Sequence, residues 1–264
     1  MLFRSARGFE DLGLKTDLLI DAGLDAMRQA IGRFGESVRG APFAAFYFAG
    51  HGVQLAWRNF LLPVDADIDK IEDIPKQCVD VGTLIAGITK AANPMNMVIL
   101  DACRDNPFGS VKRVDQKGLS QLDAPPGTFL AYATSPGNVA SDGDGENGLY
   151  TENLLRELKV PEAKIEDVFK RVRLGVRRRS NGQQIPWEST SLEEDFWFQP
   201  PERLRALSDE EKLRAFREEL SQWEKIRGSR NPGPFEAYLR RYPDRKSTRL
   251  NSSHSQQSRM PSSA

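Results

Sequence analysis

The apolar residues of this chain fall into two kinds of run. Phe43 to Ala49 and Met97 to Leu100 are continuous apolar stretches of strand length, the pattern of strands buried on both faces of a parallel sheet. Thr128 to Ala133 repeats that pattern, and Asn59 to Val64 (NFLLPV) is a shorter version that Pro63 confines to an edge or an end of a sheet. Between these runs, apolar residues recur three and four positions apart. Leu24, Met27, Ile31, Phe34 and Val38 form one helical stripe, with Asp21 placed to cap it and Gly40 and Pro42 to end it. Leu84, Ile85 and Ile88 mark a second helix within Val81 to Thr89, and Tyr150 to Leu158 reads as a third. A fourth begins near Pro161, with Ile165, Val168, Phe169, Val172 and Val176 on one face and Lys170, Arg171, Arg173, Arg177, Arg178 and Arg179 largely on the other, a solvated surface. Residues 185–198 (IPWESTSLEEDFWF) end in an aromatic run suited to a last strand. Helices between strands require crossovers, so residues 1–199 are predicted to form a three-layer α/β domain whose mostly parallel central sheet is flanked by helices.

Pro200 and Pro201 mark a boundary. Ser208 opens a capping box (SDEE) before a charged helix containing Leu213, Phe216, Leu220, Trp223 and Ile226, and Pro234 to Tyr242 is a second helical piece. This appendage, residues 200–244, buries little by itself, so it is expected to dock on the main domain, to belong to a repeat array or to take a protein partner. Residues 245–264 have almost no apolar side chains; they are expected to be disordered and foreign to a native domain end.

Composition narrows the function classes. The 37 basic and 37 acidic residues leave no formal net charge, which argues against nucleic acid as the main partner. No run reaches the roughly 18 apolar residues of a membrane span, and the opening MLFRSARGFE lacks the apolar core of a signal peptide. Two cysteines, Cys78 and Cys103, make no disulfide framework, so the compartment, cytoplasmic or periplasmic, stays open and a reactive thiol is allowed.

Two of the strand-like runs stop at residues able to do chemistry. AAFYFAGHG ends at His51 and Gly52, and NMVILDACRDN leads through Asp101 to Cys103, 52 positions beyond His51. Neighbouring parallel strands would deliver both side chains to the carboxyl end of the sheet, where a base and a thiol can work together. Asp101 lies two residues before Cys103, so continued strand geometry turns carboxylate and thiol to one side. A carboxylate there raises a thiol's pKa and is a poor activator, but it suits a pocket for a cationic substrate side chain. Gly52 permits close backbone approach, and its N–H together with that of Cys103 could bind an oxyanion. Cys78 reads as a small buried hydrophobe.

FYFAGHG followed by VILDACRDNPF resembles the caspase-like clan of cysteine peptidases, nearest to bacterial caspase-family and metacaspase-type proteins, over roughly Gly8 to Phe198. The resemblance implies a caspase-like fold, His51 as general base, Cys103 as nucleophile, and acylation of Cys103 followed by hydrolysis of a peptide or protein substrate. Caspases carry Gln two residues before the nucleophile. The acidic residue here matches metacaspases and paracaspases and implies cleavage after Arg or Lys. Family domains usually begin with a further strand and helix before the point matching Gly8, so the resemblance implies a chain short of that pair, whose loss would expose apolar edges.

Several features keep more than one reading. Asp142 and Asp144, with Glu146 in the acidic loop SDGDGEN, fit an ordinary turn, a second acidic contribution to a basic-residue pocket, or a calcium site, although the full calcium-loop pattern is lacking. No metal ligand set and no cofactor are otherwise expected. Lys112, Arg113 and Lys117, in the polar loop after Cys103, are candidate self-processing sites. Trp187 and Phe196 to Phe198 read as core and sheet-edge packing. The competing function is a catalytically silent caspase-like scaffold whose helical appendage binds a partner.

Overall fold

Three apolar runs of the sequence, those centred on Phe46, Ile99 and Leu130, lie side by side in one sheet. The computed structural model describes residues 2–103, 119–135, 148–202, 209–229 and 231–242, without the side chains of residues 2–4, 103, 209, 210 and 212. Asp142, Asp144, Glu146, Lys112, Arg113, Lys117, Ser208 and residues 245–264 lie outside it. Two compact units divide at Pro200 and Pro201.

In the first unit the strands are β1 (Ala44–Leu55), β2 (Arg58–Leu61), β3 (Val79–Asp80), β4 (Asn96–Cys103), β5 (Thr128–Tyr132) and β6 (Trp187–Thr190). Their order across the sheet is β3-β2-β1-β4-β5-β6. The centre is parallel, β1 with β4 and β4 with β5, while the β1–β2, β2–β3 and β5–β6 pairings at the margins are antiparallel. The helices are α1 (Leu2–Glu10), α2 (Leu24–Ser37), the single turn α3 (Ile74–Gln77), α4 (Val81–Ala91), α5 (Leu149–Glu157) and α6 (Ile165–Arg179).

Alternation along the central strands creates the layers. Met97, Ile99, Phe129 and Ala131 point into a core shared with α1, α5 and α6, while Val98, Leu100, Leu130 and Tyr132 point into a second core with α2 and α4. The five apolar residues of α6 picked out by spacing are all buried, each contributing at most about 1.5–3 kcal/mol through the apolar surface it removes from water. Three arginines of its basic face pair with neighbours: Arg171 with Glu157, Arg173 with Glu188 and Arg179 with Glu152. A third, small cluster lies under the β1–β2 hairpin and holds Cys78.

Four local expectations are corrected. Asp21 does not cap α2; it has a left-handed φ of 47°, the N-cap is Gly23, and the Leu24 N–H donates instead to Asp65 Oδ1 at 2.8 Å. β1 does not stop at His51 but continues to Leu55, because β2 folds back to pair with its far end. The helix expected near Pro161 starts at Ile165. The last strand is the polar Trp187–Thr190 rather than the aromatic run, since it is the partner of β5; Phe196 and Phe198 pack on Phe43 instead.

In the second unit α7 (Asp209–Ile226) and α8 (Pro232–Arg241) form a hairpin. Trp223 packs against Phe235 and Tyr238, and the Tyr238 hydroxyl donates to Glu219 at 2.8 Å.

Candidate active site

The site grows from one register. β1 and β4 run parallel from Ala44 opposite Asn96 to His51 opposite Cys103, so both residues end the shared ladder at the carboxyl edge of the sheet. Adjacent strands are about 4.8 Å apart, which makes positions 51 and 103 immediate neighbours. Odd positions of β1 face the α5 and α6 layer, as Ala45 and Tyr47 do, and odd positions of β4 do likewise. His51, Asp101 and position 103 therefore belong to one face. The imidazole-bearing residue is exposed. The Cys103 side chain lies outside the described residues.

His51 also marks a change of partner. Beyond it β1 leaves β4 and pairs with β2, Gly52 opposite Leu61. The Leu62 N–H donates to the His51 carbonyl at 3.0 Å, which turns the Gly52 N–H, one residue on, towards the β4 side. Gly52 is itself tightly enclosed: a Cβ there would sit 2.9 Å from Leu119 Cδ2 and 3.3 Å from Ala102 Cβ. The chain that carries Leu119 is pinned in turn, because Asn59 Nδ2 donates to the Ser120 carbonyl at 2.9 Å and the Ser120 N–H donates to Asn59 Oδ1 at 2.6 Å.

Asp101 is half-buried and sits among hydroxyls. Tyr47 Oη donates to its Oδ2 at 3.0 Å, and Thr151 Oγ1, from the first turn of α5, donates to the same oxygen. Tyr47 Oη and Thr151 Oγ1 are 2.7 Å apart. Burial first, then the charge of Asp101, pushes the pKa of Tyr47 well up, so the phenol keeps its proton. The same two causes act on the fully buried Tyr150. Tyr47 and Thr151 escape a reading of the sequence because they lie 54 and 50 residues from Asp101. The one signal for Tyr47 was its spacing, four positions before His51 on an alternating strand.

The model of the caspase domain matches residues 5–197. The chain belongs to the caspase domain family. That family is one of cysteine peptidases, and the mixed sheet with a parallel core between helical layers agrees with its α/β fold. A search of curated proteins finds no match. In this caspase domain the register brings His51 to Cys103, as the two motifs suggested, and Asp101 shares their face. Cys78 stands apart, buried, with its thiol pushed up to about 11 by desolvation. Among the described residues no group of three or more His, Cys, Asp or Glu side chains is placed to hold a metal ion. Nor is any described helix long and apolar enough to cross a membrane.

Proposed function

We propose that this caspase domain is a cysteine endopeptidase that uses His51 and Cys103 and cleaves peptide or protein chains after Arg or Lys. The observation that carries the reading is the pairing of His51 with Cys103 at the carboxyl end of adjacent parallel strands, with Asp101 two residues before the thiol. The Cys103 sulfur attacks the scissile carbonyl carbon and its proton passes to His51. The resulting oxyanion takes hydrogen bonds from the Gly52 and Cys103 N–H groups, which must be released from the last rung of the β1–β4 ladder to reach it. His51 then gives a proton to the leaving amine, the C–N bond breaks, and an acyl-Cys103 thioester remains. His51 next takes a proton from water, whose oxygen attacks the thioester and frees the carboxylate product and the thiol.

Asp101 supplies the charge that selects a basic residue. Asp142 and Asp144 are proposed to add to that pocket, and assays with and without Ca²⁺ test the acidic loop as a calcium site. The chemistry itself draws on side chains and backbone of the chain alone. Along α7, Leu213, Phe216 and Leu220 are exposed, which supports a protein partner for the C-terminal helices. Leu213→Glu with Leu220→Glu should abolish binding to such a partner without changing peptide turnover; unchanged binding overturns that role.

Fluorogenic peptides ending in Arg, Lys or Asp before the reporter test the main reading. Turnover of the Arg and Lys peptides is expected, lost in Cys103→Ala and in His51→Ala. Turnover that survives Cys103→Ala would refute the dyad, and preference for the Asp peptide would remove the role of Asp101. Absence of turnover with every peptide would favour the silent scaffold. Self-processing is read by intact mass, as fragments ending at Lys112, Arg113 or Lys117.

A further inference from the structure

We infer that Tyr47 and Thr151 are positioning residues for substrate selection: their hydroxyls grip the Asp101 carboxylate from one side and aim it at the cationic side chain of the residue to be cleaved. This rests on the basic-residue reading of Asp101 and adds to it the parts that hold the carboxylate in place.

The geometry is a triangle of oxygens. Tyr47 Oη and Thr151 Oγ1 both reach Asp101 Oδ2, and they are 2.7 Å from each other. Three short edges share the two hydroxyl protons, so the hydroxyls either both donate to the carboxylate or relay, one hydroxyl donating to the other and that one to Asp101. In each arrangement the carboxylate accepts at least one hydrogen bond, and because both contacts fall on Oδ2 the orientation of Oδ1 is fixed with them.

The supports of the triangle are rigid. Tyr47 belongs to β1, four residues before His51, and its ring packs against Phe9 with centroids 6.2 Å apart. Thr151 is fully buried in the first turn of α5, whose Leu149, Tyr150 and Leu154 lie in the core. Tyr150, next to Thr151, is also buried, and its hydroxyl has no hydrogen-bond partner among the described residues. Two hydroxyl-bearing side chains from two elements thus converge on one acidic group two residues before the nucleophile. A group held this way exchanges little conformational entropy on binding, which is how a single carboxylate gains selectivity for a guanidinium or ammonium group.

Binding measured in the Cys103→Ala background tests this without requiring turnover. Two labelled peptides are compared, one with Arg at the cleavage position and one with citrulline, which has the same shape and no charge. In the parent the Arg peptide binds more tightly. Tyr47→Phe and Thr151→Val are each expected to weaken the Arg peptide by about tenfold, the scale of one hydrogen bond to a charged group, and to leave the citrulline peptide unchanged. Thr151→Ser keeps the hydroxyl and is expected to stay close to the parent. Parent-like Arg affinity in Tyr47→Phe and Thr151→Val overturns the inference, as does an equal loss for both peptides. So does a Thr151→Ser variant as weak as Thr151→Val, which decides the matter even where the valine variant folds poorly. Asp101→Asn separates this from the reading beneath it: if that variant keeps full preference for Arg, the basic-residue reading itself fails.

Discussion

Gly52 is held between Leu119 and Ala102, and the space for a side chain at this position is already taken. The nearest atom, Leu119 Cδ2, is the end of a flexible side chain, so an added methyl displaces it rather than breaking the strand. Gly52→Ala should therefore cost about 1–3 kcal/mol, the usual penalty of overpacking, and lower the melting temperature by several degrees. Trimming the obstruction with Leu119→Ala in the same chain should recover less than its own cavity cost, giving a non-additive double-mutant cycle. Strict additivity in thermal melts would show that the two residues do not compete for this space.

Gly175 is a second place where a helix has no room for a methyl. It lies on α6 against the fully buried Asn153 of α5, whose Oδ1 an added Cβ would overlap. Helix propensity alone makes Gly→Ala in a helix interior stabilising by roughly 1 kcal/mol. Here the sign should reverse. Asn153 Nδ2 donates to the Leu149 carbonyl at 2.7 Å, and its Oδ1 accepts from Arg156 Nη2 at 2.8 Å, so displacing it strands buried polar groups. Loss of about 2 kcal/mol or more is expected for Gly175→Ala in denaturant unfolding. A gain would mean that the α5–α6 contact yields easily.

What the sequence could reveal follows from how local each determinant is. The buried face of α6 was legible because a helix repeats every 3.6 residues and all five apolar positions obey that period. The pairing of His51 and Cys103 was legible because each ends an apolar run. The continuation of β1 to Leu55 was not, since Gly50 and Gly52 look like a stop and only the returning β2 supplies the missing partner. The cap of α2 was misread for the same reason: Asp65, which accepts the Leu24 N–H, is 41 residues away, and Asp21 beside the helix turns left-handed instead. In the last strand, β5 pairs with the polar stretch Trp187–Thr190, and the aromatic run finds its partner in Phe43. The hydroxyls around Asp101 belong to this class too, a site assembled across elements that carry no mark of it.

The hairpin that carries β1 into β2 turns through Ala56 and Trp57, both with positive φ, 49° and 64°. Two such residues between paired strands are the conformation of a type I′ turn, for which Asn-Gly is the preferred sequence. Neither native residue adopts it without strain, costing roughly 1–2 kcal/mol each. Trp57 is 73% exposed, so replacing it removes little packing. Ala56→Asn with Trp57→Gly should raise the melting temperature, by an amount corresponding to about 1 kcal/mol or more. A lower melting temperature would indicate that the Trp57 ring contributes more than the turn costs.

The two cysteines should separate cleanly in reactivity. Cys78 is buried with Val53, Phe60, Ile68 and Ile74, and desolvation holds its thiol up at about 11, against a smaller opposing pull from Arg28. Below that value it stays protonated, and only a thiolate attacks iodoacetamide at a useful rate. Alkylation at pH 7.5 followed by intact mass should add one group to the native chain and none to Cys103→Ala, whereas denaturant should expose Cys78 in both. The sign of the linkage follows. Because folding raises this pKa above its ordinary value of 9.0, the associated stability is intact below pH 9 and declines as pH rises towards 11. Cys78→Ser should remove that alkaline decline from the stability profile; a decline of equal slope in the serine variant would assign it to another group.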